Sequence, residues 1–74
     1  MDTELTTRPD IRVLRMLVAH PFEDTAAGIA KLSGMPLAEV DATLADLKQR
    51  HLARRWETHW QITSLGVAEA GAAP

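Results

Sequence analysis

The chain has 74 residues and a formal net charge of −2 at pH 7, which allows one domain with a small hydrophobic core. It contains no cysteine, so neither a disulfide framework nor cysteine-ligated zinc can support that core. The longest apolar run, residues 16–19, is far too short to span a bilayer. No secretory leader pattern opens the chain, and we therefore expect a cytoplasmic protein.

The charge is divided unevenly along the chain. Residues 1–47 carry four basic and eight acidic side chains, which gives −4, and residues 48–74 carry four basic and two acidic ones, which gives +2. A DNA-binding domain usually shows a basic patch or stripe. The only candidate for such a patch begins at Lys48.

The predicted elements begin after a polar segment without periodicity, residues 1–8, which we expect to be a disordered tail. Pro9 suits the first turn of a helix, and this helix should end near Ala19 because a proline follows two residues later. In the connector after it, Phe22 is expected to fill the core between the first two helices. The apolar stripe of this helix is predicted to consist of Ile11, Leu14, Leu17 and Val18.

Residues 25–52 predict two further helices joined by a tight turn. Thr25 is placed to cap the first of them, and Gly34 stands where a helix end commonly needs left-handed backbone. Helices joined this closely cross at a steep angle, which is the helix-turn-helix geometry. The side chains that we expect to face the core are Ile29, Ala30, Leu32, Leu37, Val40, Leu44 and Leu47.

After the third helix the period changes to two residues, which is typical of a pair of strands. Residues 57–59 are predicted to form the tip of a short hairpin that places Trp56 and Trp60 side by side. A last short helix is expected to open at residues 63–66, and residues 71–74 are expected to form a tail. No linker or internal repeat divides the chain.

One ordered set of residues carries a resemblance: residues 25–36, then Val40, Leu44 and Leu47, then residues 52–55 and 60–63. This order resembles a winged helix-turn-helix domain of the bacterial transcriptional-regulator type, as in MarR-like and related families. The resemblance spans residues 9–70 and implies a mainly α (α+β) fold. Three helices, a two-stranded β wing and a short C-terminal helix are implied, with a short strand near Phe22 that can join the wing. His51 stands where relatives often have glycine before the wing, and a left-handed backbone there would suit histidine only moderately.

The resemblance implies a sequence-specific DNA-binding transcriptional regulator whose partner is double-stranded DNA. Its third helix would enter the major groove and its wing would contact phosphates, whereas Trp60 holds a position that is buried in the family. The segment expected to supply phosphate contacts contains Lys48, Arg50, His51, Arg54, Arg55 and His59. The predicted DNA-binding residues are Leu37, Ala38, Glu39, Asp41, Ala42, Thr43, Ala45, Lys48, Arg54, Arg55 and His59.

The residues also leave a second function open. Arginine, lysine, asparagine and glutamine make most specific base contacts, and none of them occurs in the third helix before Lys48. The carboxylates of Glu39 and Asp41 would repel a phosphate backbone. The alternative is a winged-helix module that binds a protein partner, or a second copy as a homodimer, with little or no affinity for DNA.

Catalysis and metal binding are not expected. Ser33 and Ser64 lie outside any recognisable nucleophile motif, and no glycine-rich phosphate loop occurs. The histidines, His20, His51 and His59, show neither helical pairing nor cysteine partners. We therefore predict that the protein is not an enzyme and uses no metal or cofactor.

Overall fold

The computed structural model describes residues 8–72. The elements in chain order are α1 (Pro9–Ala19), α2 (Ala26–Ser33), α3 (Leu37–Gln49), β1 (Ala53–Trp56), β2 (His59–Ile62) and α4 (Ser64–Ala72). The predicted fold class is confirmed, because this part of the chain forms helices and a two-stranded antiparallel sheet in the order of a winged helix. Residues 1–7 of the predicted N-terminal tail and residues 73–74 lie outside the described residues. No helix within residues 8–72 is long and apolar enough to cross a membrane.

The ends of α1 and α2 follow the local signals in the sequence. Pro21 disfavours helical geometry at the residue before it, and His20 accordingly leaves the helix with φ −131°. The hydroxyl oxygen of Thr25 accepts a hydrogen bond from the N–H of Gly28 at 3.0 Å. Gly34 closes α2 in the left-handed region with φ 75°. The predicted cap and turn residues are therefore confirmed.

The core lies between α1, α2 and α3, and the beginning of β1 completes it. α1 packs against α2, α3 and α4, and α3 packs against α2 and β1. The predicted burial of Val40, Leu44 and Leu47 on α3, and of Ile29 on α2, is confirmed. The largest fully buried side chains are Val13, Leu14, Ile29, Val40, Leu44 and Leu47.

Four apolar side chains that were expected in the core are exposed, so these predictions were wrong. The exposed fractions are 53% for Val18, 95% for Phe22, 43% for Leu32 and 49% for Leu37. Three of them stand in the first or last turn of a helix, where no neighbouring element covers the side chain. Phe22 lies in the connecting turn and points to solvent. Val13 is buried instead, because α1 has helices and β2 packed around it and so buries more than one stripe.

The hairpin is tighter than predicted. Its register pairs Trp56 with His59 and Arg55 with Trp60, which leaves a two-residue tip instead of three residues. The first residue of the tip, Glu57, has φ 55°, as two-residue hairpin turns require. Paired residues share one face of a sheet, so Arg55 lies beside Trp60 and Trp56 lies on the opposite face. The prediction that the two tryptophans are side by side was therefore wrong.

The connector between α1 and α2 meets the hairpin without forming a strand. Over residues 8–72 the sheet has only β1 and β2, so the joining strand near Phe22 is not formed. Instead, the N–H of Trp60 donates to the carbonyl oxygen of Asp24 at 2.7 Å. The Asp24 carboxylate also lies 2.8 Å from Nδ1 of His59. We call these two contacts the Asp24 clasp, and they hold the wing against the connector.

α4 reaches Ala72, so the prediction that the C-terminal tail begins at residue 71 was wrong. Residues 71–72 continue the last helix. It buries Gly66 and Ala70 against the rest of the domain and exposes Leu65 and Val67. Small residues on the inner face let α4 lie close to the chain just before β1. The backbone of α4 lies so close to the Leu52 backbone that only small side chains fit between them. The larger side chains of α4 therefore face outward.

Candidate nucleic-acid interface

The surface of α3 that faces away from the core is a ridge of small side chains. Ala38, Ala42 and Ala45 are all exposed and recur at steps of four and three residues, which places them on one face of a helix. Gln49 continues the same face into the last turn. We call Ala38, Ala42 and Ala45 the alanine ridge. Because these side chains are short, the backbone of α3 can approach a partner closely.

An open groove runs between α3 and the hairpin on one side of this ridge. Its volume is about 710 Å³, and a further cavity of about 350 Å³ continues it toward the start of α2. Both parts are lined by Asp41, Arg55 and Trp60. We call the two parts together the wing groove. The larger part is also lined by Ala45, Lys48, Gln49 and His51.

Two cationic side chains from different elements meet in the wing groove. The ammonium group of Lys48, near the end of α3, makes no hydrogen bond or ion pair with any residue in the described range 8–72. The Nε of Arg55 donates to the carbonyl oxygen of Glu57 at 2.6 Å, which orients the guanidinium on the face of the hairpin that carries Trp60. A guanidinium has further N–H donors, and both cations are side chains that bind phosphate in proteins.

His51 also lines the wing groove and has the left-handed backbone considered above, with φ 63°. The hydroxyl of Thr63 donates to the His51 carbonyl oxygen at 2.7 Å, and the next amide, Leu52 N–H, donates to Leu47 at 2.9 Å. These bonds stabilise a conformation that is uncommon for a residue with a side chain. The chain thereby turns sharply from α3 into β1, and the wing stands beside α3.

Two of the arginines assigned to phosphate contact lie outside the wing groove. Arg54 is on the opposite face of the hairpin, where its Nε donates to Oε1 of Gln61 at 3.1 Å. Arg50 forms ion pairs with Asp10 at 2.8 Å and Asp46 at 3.2 Å, on the other side of α3. The hairpin register and the turn at the end of α3 therefore separate these cations from Lys48 and Arg55.

His59 belongs to the Asp24 clasp at the edge of the wing. Its hydrogen bond to Asp24, and then the negative charge of Asp24, raise the pKa of His59 above the ordinary 6.5, with a smaller contribution from Glu57. Desolvation opposes this shift. The bond between the imidazole and Asp24 holds the wing against the connector. In the strand register, His59 lies on the face of the hairpin opposite Arg55.

A second groove, on the α1 side of the ridge, has a different electrostatic character. Its volume is about 400 Å³, and its lining includes the carboxylates of Asp10, Glu39 and Asp46 against one cation, Arg8. The hydroxyl of Thr43 donates back to the Glu39 carbonyl at 2.8 Å. Arg50 pairs with Asp10 and Asp46 from outside this lining, but the three acids still outnumber Arg8 and Arg50. The excess negative charge disfavours binding of a phosphate backbone.

The structure thus divides the predicted DNA-binding residues among several surfaces. The wing groove contains Leu37, Asp41, Ala45, Lys48 and Arg55; the α1-side groove contains Glu39, Ala42 and Thr43. Ala38 lies on the ridge, while Arg54 and His59 face elsewhere. Gln49 and Trp60 join the wing groove although neither was predicted as a contact residue. The spacing of Gln49 from Ala45 and Ala42 is the signal that could have identified it.

Comparison of the chain with protein-family models, curated proteins and solved structures gave no significant match. The structure by itself shows the fold and the surface. The fold is a winged-helix arrangement, and a groove that contains two cations lies between α3 and the wing. The resemblance to MarR-like regulators stays a prediction. Residues 8–72 contain no cluster of three or more side chains suited to hold a metal ion.

Proposed function

We propose that this domain is a small transcriptional regulator that binds double-stranded DNA through α3 and the wing groove. The observation that carries the proposal is that Lys48 of α3 and Arg55 of β1 line one groove, together with His51. Contacts from cationic side chains to phosphates position a protein on the duplex. Lys48 and Arg55 lie on the same side of α3. In this arrangement both can contact the phosphates of a DNA strand that borders the major groove.

The shape of α3 supports the same proposal. The major groove of B-DNA is about 12 Å wide and accepts a helix, and the alanine ridge keeps the outer side of α3 narrow. When α3 lies in the DNA major groove, the hairpin lies beside α3 and against the neighbouring DNA backbone. Arg55 then faces the backbone next to the groove, and Trp60 packs behind it.

The charges limit how tightly one copy can bind. Residues 8–72 carry eight basic and eight acidic side chains, so no general positive field assists association. With two phosphate contacts, the slope of log affinity against log salt is about −1.8. Raising the salt from about 50 to about 200 mM then lowers the affinity roughly tenfold. We expect weak binding by a single copy and detectable complexes at low salt.

The proposal is tested by titrating labelled protein with mixed-sequence duplex DNA at two salt concentrations. We expect salt-sensitive amide shifts that cluster on residues 37–49 and 55–60. Lys48→Ala and Arg55→Ala should each reduce the magnitude of the salt slope by about 0.9. Arg54→Ala is the matched control, because it removes the same charge from the same strand on the opposite face.

Unchanged spectra at low salt would show that the domain does not bind DNA in this way. Equal effects of Arg54→Ala and Arg55→Ala would show that net charge, and not the wing groove, determines the affinity.

A second candidate function is favoured by the exposed aromatic side chains. Phe22 is 95% and Trp56 is 70% exposed, and Trp56 lies on the face of the hairpin opposite Arg55. Large aromatic side chains are enriched in protein interfaces. The competing proposal is therefore a protein-interaction module, and amide spectra unaffected by DNA would favour it.

A further inference from the structure

We infer that α3 reads pyrimidines in the major groove, with the alanine ridge against thymine methyl groups and the Asp41 carboxylate accepting a hydrogen bond from a cytosine amino group. This inference rests on the proposed function and names the kind of DNA site that the domain would select. It follows from which chemical groups the exposed face of α3 offers and which it lacks.

The alanine ridge can make only one kind of specific contact with bases. An alanine methyl has no donor or acceptor, and its partner in the major groove is the C5-methyl of thymine. Ala38 and Ala45 are seven residues apart, which is about 10 Å along a helix. This length corresponds to about three base-pair steps. The ridge therefore favours a short run of positions that present thymine methyls.

Asp41 stands where the ridge meets the wing groove, and it is the only carboxylate that residues 8–72 contribute to the lining of that groove. The side chain of Asp41 makes no hydrogen bond or ion pair with residues 8–72, so its carboxylate oxygens are available as acceptors. Cytosine offers the N4 amino donor in the major groove, whereas thymine offers an acceptor and adenine places the N7 acceptor beside its donor. An ionised carboxylate accepts only, so it selects cytosine.

The cations of the wing groove make this carboxylate compatible with DNA. Lys48 and Arg55 line the same groove as Asp41 and offset its repulsion from the phosphates. Guanine requires a donor such as arginine or lysine, and adenine suits asparagine or glutamine. Before Lys48, α3 contains none of these residues. Purine edges therefore find no specific partner along most of the ridge.

The inference is tested with the full chain by selecting binders from a randomised duplex library at low salt. We expect the recovered duplexes to share a short motif of thymines and a cytosine on one strand. Replacing a contacted thymine by deoxyuridine removes only the methyl and should weaken binding about fourfold per methyl. Replacing the C·G pair by T·A should weaken binding about tenfold, because an acceptor then faces Asp41.

Two variants separate base recognition from simple charge. Asp41→Ala and Asp46→Ala each remove one negative charge from α3, so both should strengthen binding to unrelated DNA by similar factors. Asp46 lies in the α1-side groove, and Arg50 keeps its other partner, Asp10, when Asp46 is removed. Only Asp41→Ala should lose the preference for C·G over T·A. Circular dichroism checks that both variants are folded.

Three results would overturn the inference alone: a library without pyrimidine enrichment, an unchanged affinity with deoxyuridine, or a cytosine preference retained by Asp41→Ala. DNA binding itself would still stand if the salt slopes of Lys48→Ala and Arg55→Ala changed as proposed. Failure of every duplex to bind at low salt would instead reject the proposed function, and this inference with it.

Discussion

A methyl group added at Gly66 is the sharpest test of how α4 is docked. A Cβ built at this position would lie 2.0 Å from the carbonyl oxygen of Leu52 and 2.7 Å from Cγ1 of Ile62. Ordinary contacts of such atoms begin at about 3.4 Å, so α4 would have to move by more than about 1 Å. The nearest obstacle is backbone and cannot rotate away. The movement would also disturb the hydrogen bond from Thr63 N–H to the Leu52 carbonyl, which is 3.1 Å long.

The free energy of unfolding should therefore fall substantially in Gly66→Ala. Overpacking of this kind costs about 1–3 kcal/mol, and a lost backbone hydrogen bond adds about 1 kcal/mol. The better helix propensity of alanine returns up to about 1 kcal/mol. The net loss is about 1–4 kcal/mol, which is a large part of the roughly 4–11 kcal/mol that a domain of this size has.

Urea denaturation followed by circular dichroism measures this loss. With a slope of about 1 kcal/mol per molar urea, the midpoint should fall by about 1–4 M, or the variant should be unfolded without urea. Gly71→Ala is the matched control, because it lies in the same helix and an added Cβ would meet no atom of the rest of the domain, as described over residues 8–72, within 4 Å. Its midpoint should be unchanged or slightly higher. Equal midpoints for the two variants would refute the close approach of α4 to Leu52.

Three further predictions address the helix cap, the clasp and the tryptophans. Thr25→Ala removes the acceptor of a 3.0 Å cap bond and should lower the free energy of unfolding by about 1 kcal/mol. Thr25→Ser keeps a hydroxyl acceptor and should retain most of the wild-type stability. Identical losses in the two variants would argue against the cap. Asp24 raises the pKa of His59 above 6.5, so the ion pair between protonated His59 and Asp24 stabilises the folded state. This stabilisation should be complete below pH 6.5 and should disappear as the pH rises through the raised pKa. The urea midpoint of the wild type should show that decrease and His59→Gln should lack it; a decrease of the same size in both would exclude the clasp as its source. Trp60→Ala should lower the free energy of unfolding by about 2 kcal/mol, because this ring packs on the core. The Trp56 side chain is 70% exposed, so Trp56→Ala should change this free energy by less than about 0.5 kcal/mol. A larger loss for Trp56→Ala than for Trp60→Ala would contradict the hairpin register.

The elements could be predicted because their signals are local. Pro21 acts on the residue next to it, Thr25 accepts from an amide three residues on, and Gly34 relieves strain at its own position. The step of three and four residues along α3 likewise depends only on helix geometry. No distant part of the chain is needed to read these features, and the structure confirms them.

Burial at the helix ends could not be read in the same way. Leu32 and Leu37 are as apolar as the buried Leu44, but they stand where no other element covers them. Hydrophobicity shows that a side chain can be buried, and only the packing of the neighbours shows whether it is. Phe22 makes the same point at a connector, since its large apolar ring is almost wholly exposed.

The candidate site shows the same division between local and tertiary information. Residue type and spacing along the chain were enough to predict the boundaries of α1 and α2, the switch to a hairpin and the absence of base-reading donors in α3 before Lys48. They were not enough to predict that Arg55 shares a groove with Lys48 while Arg54 does not. The physical reason is that adjacent residues of a strand point to opposite faces, so the strand register alone determines which cation lies beside α3.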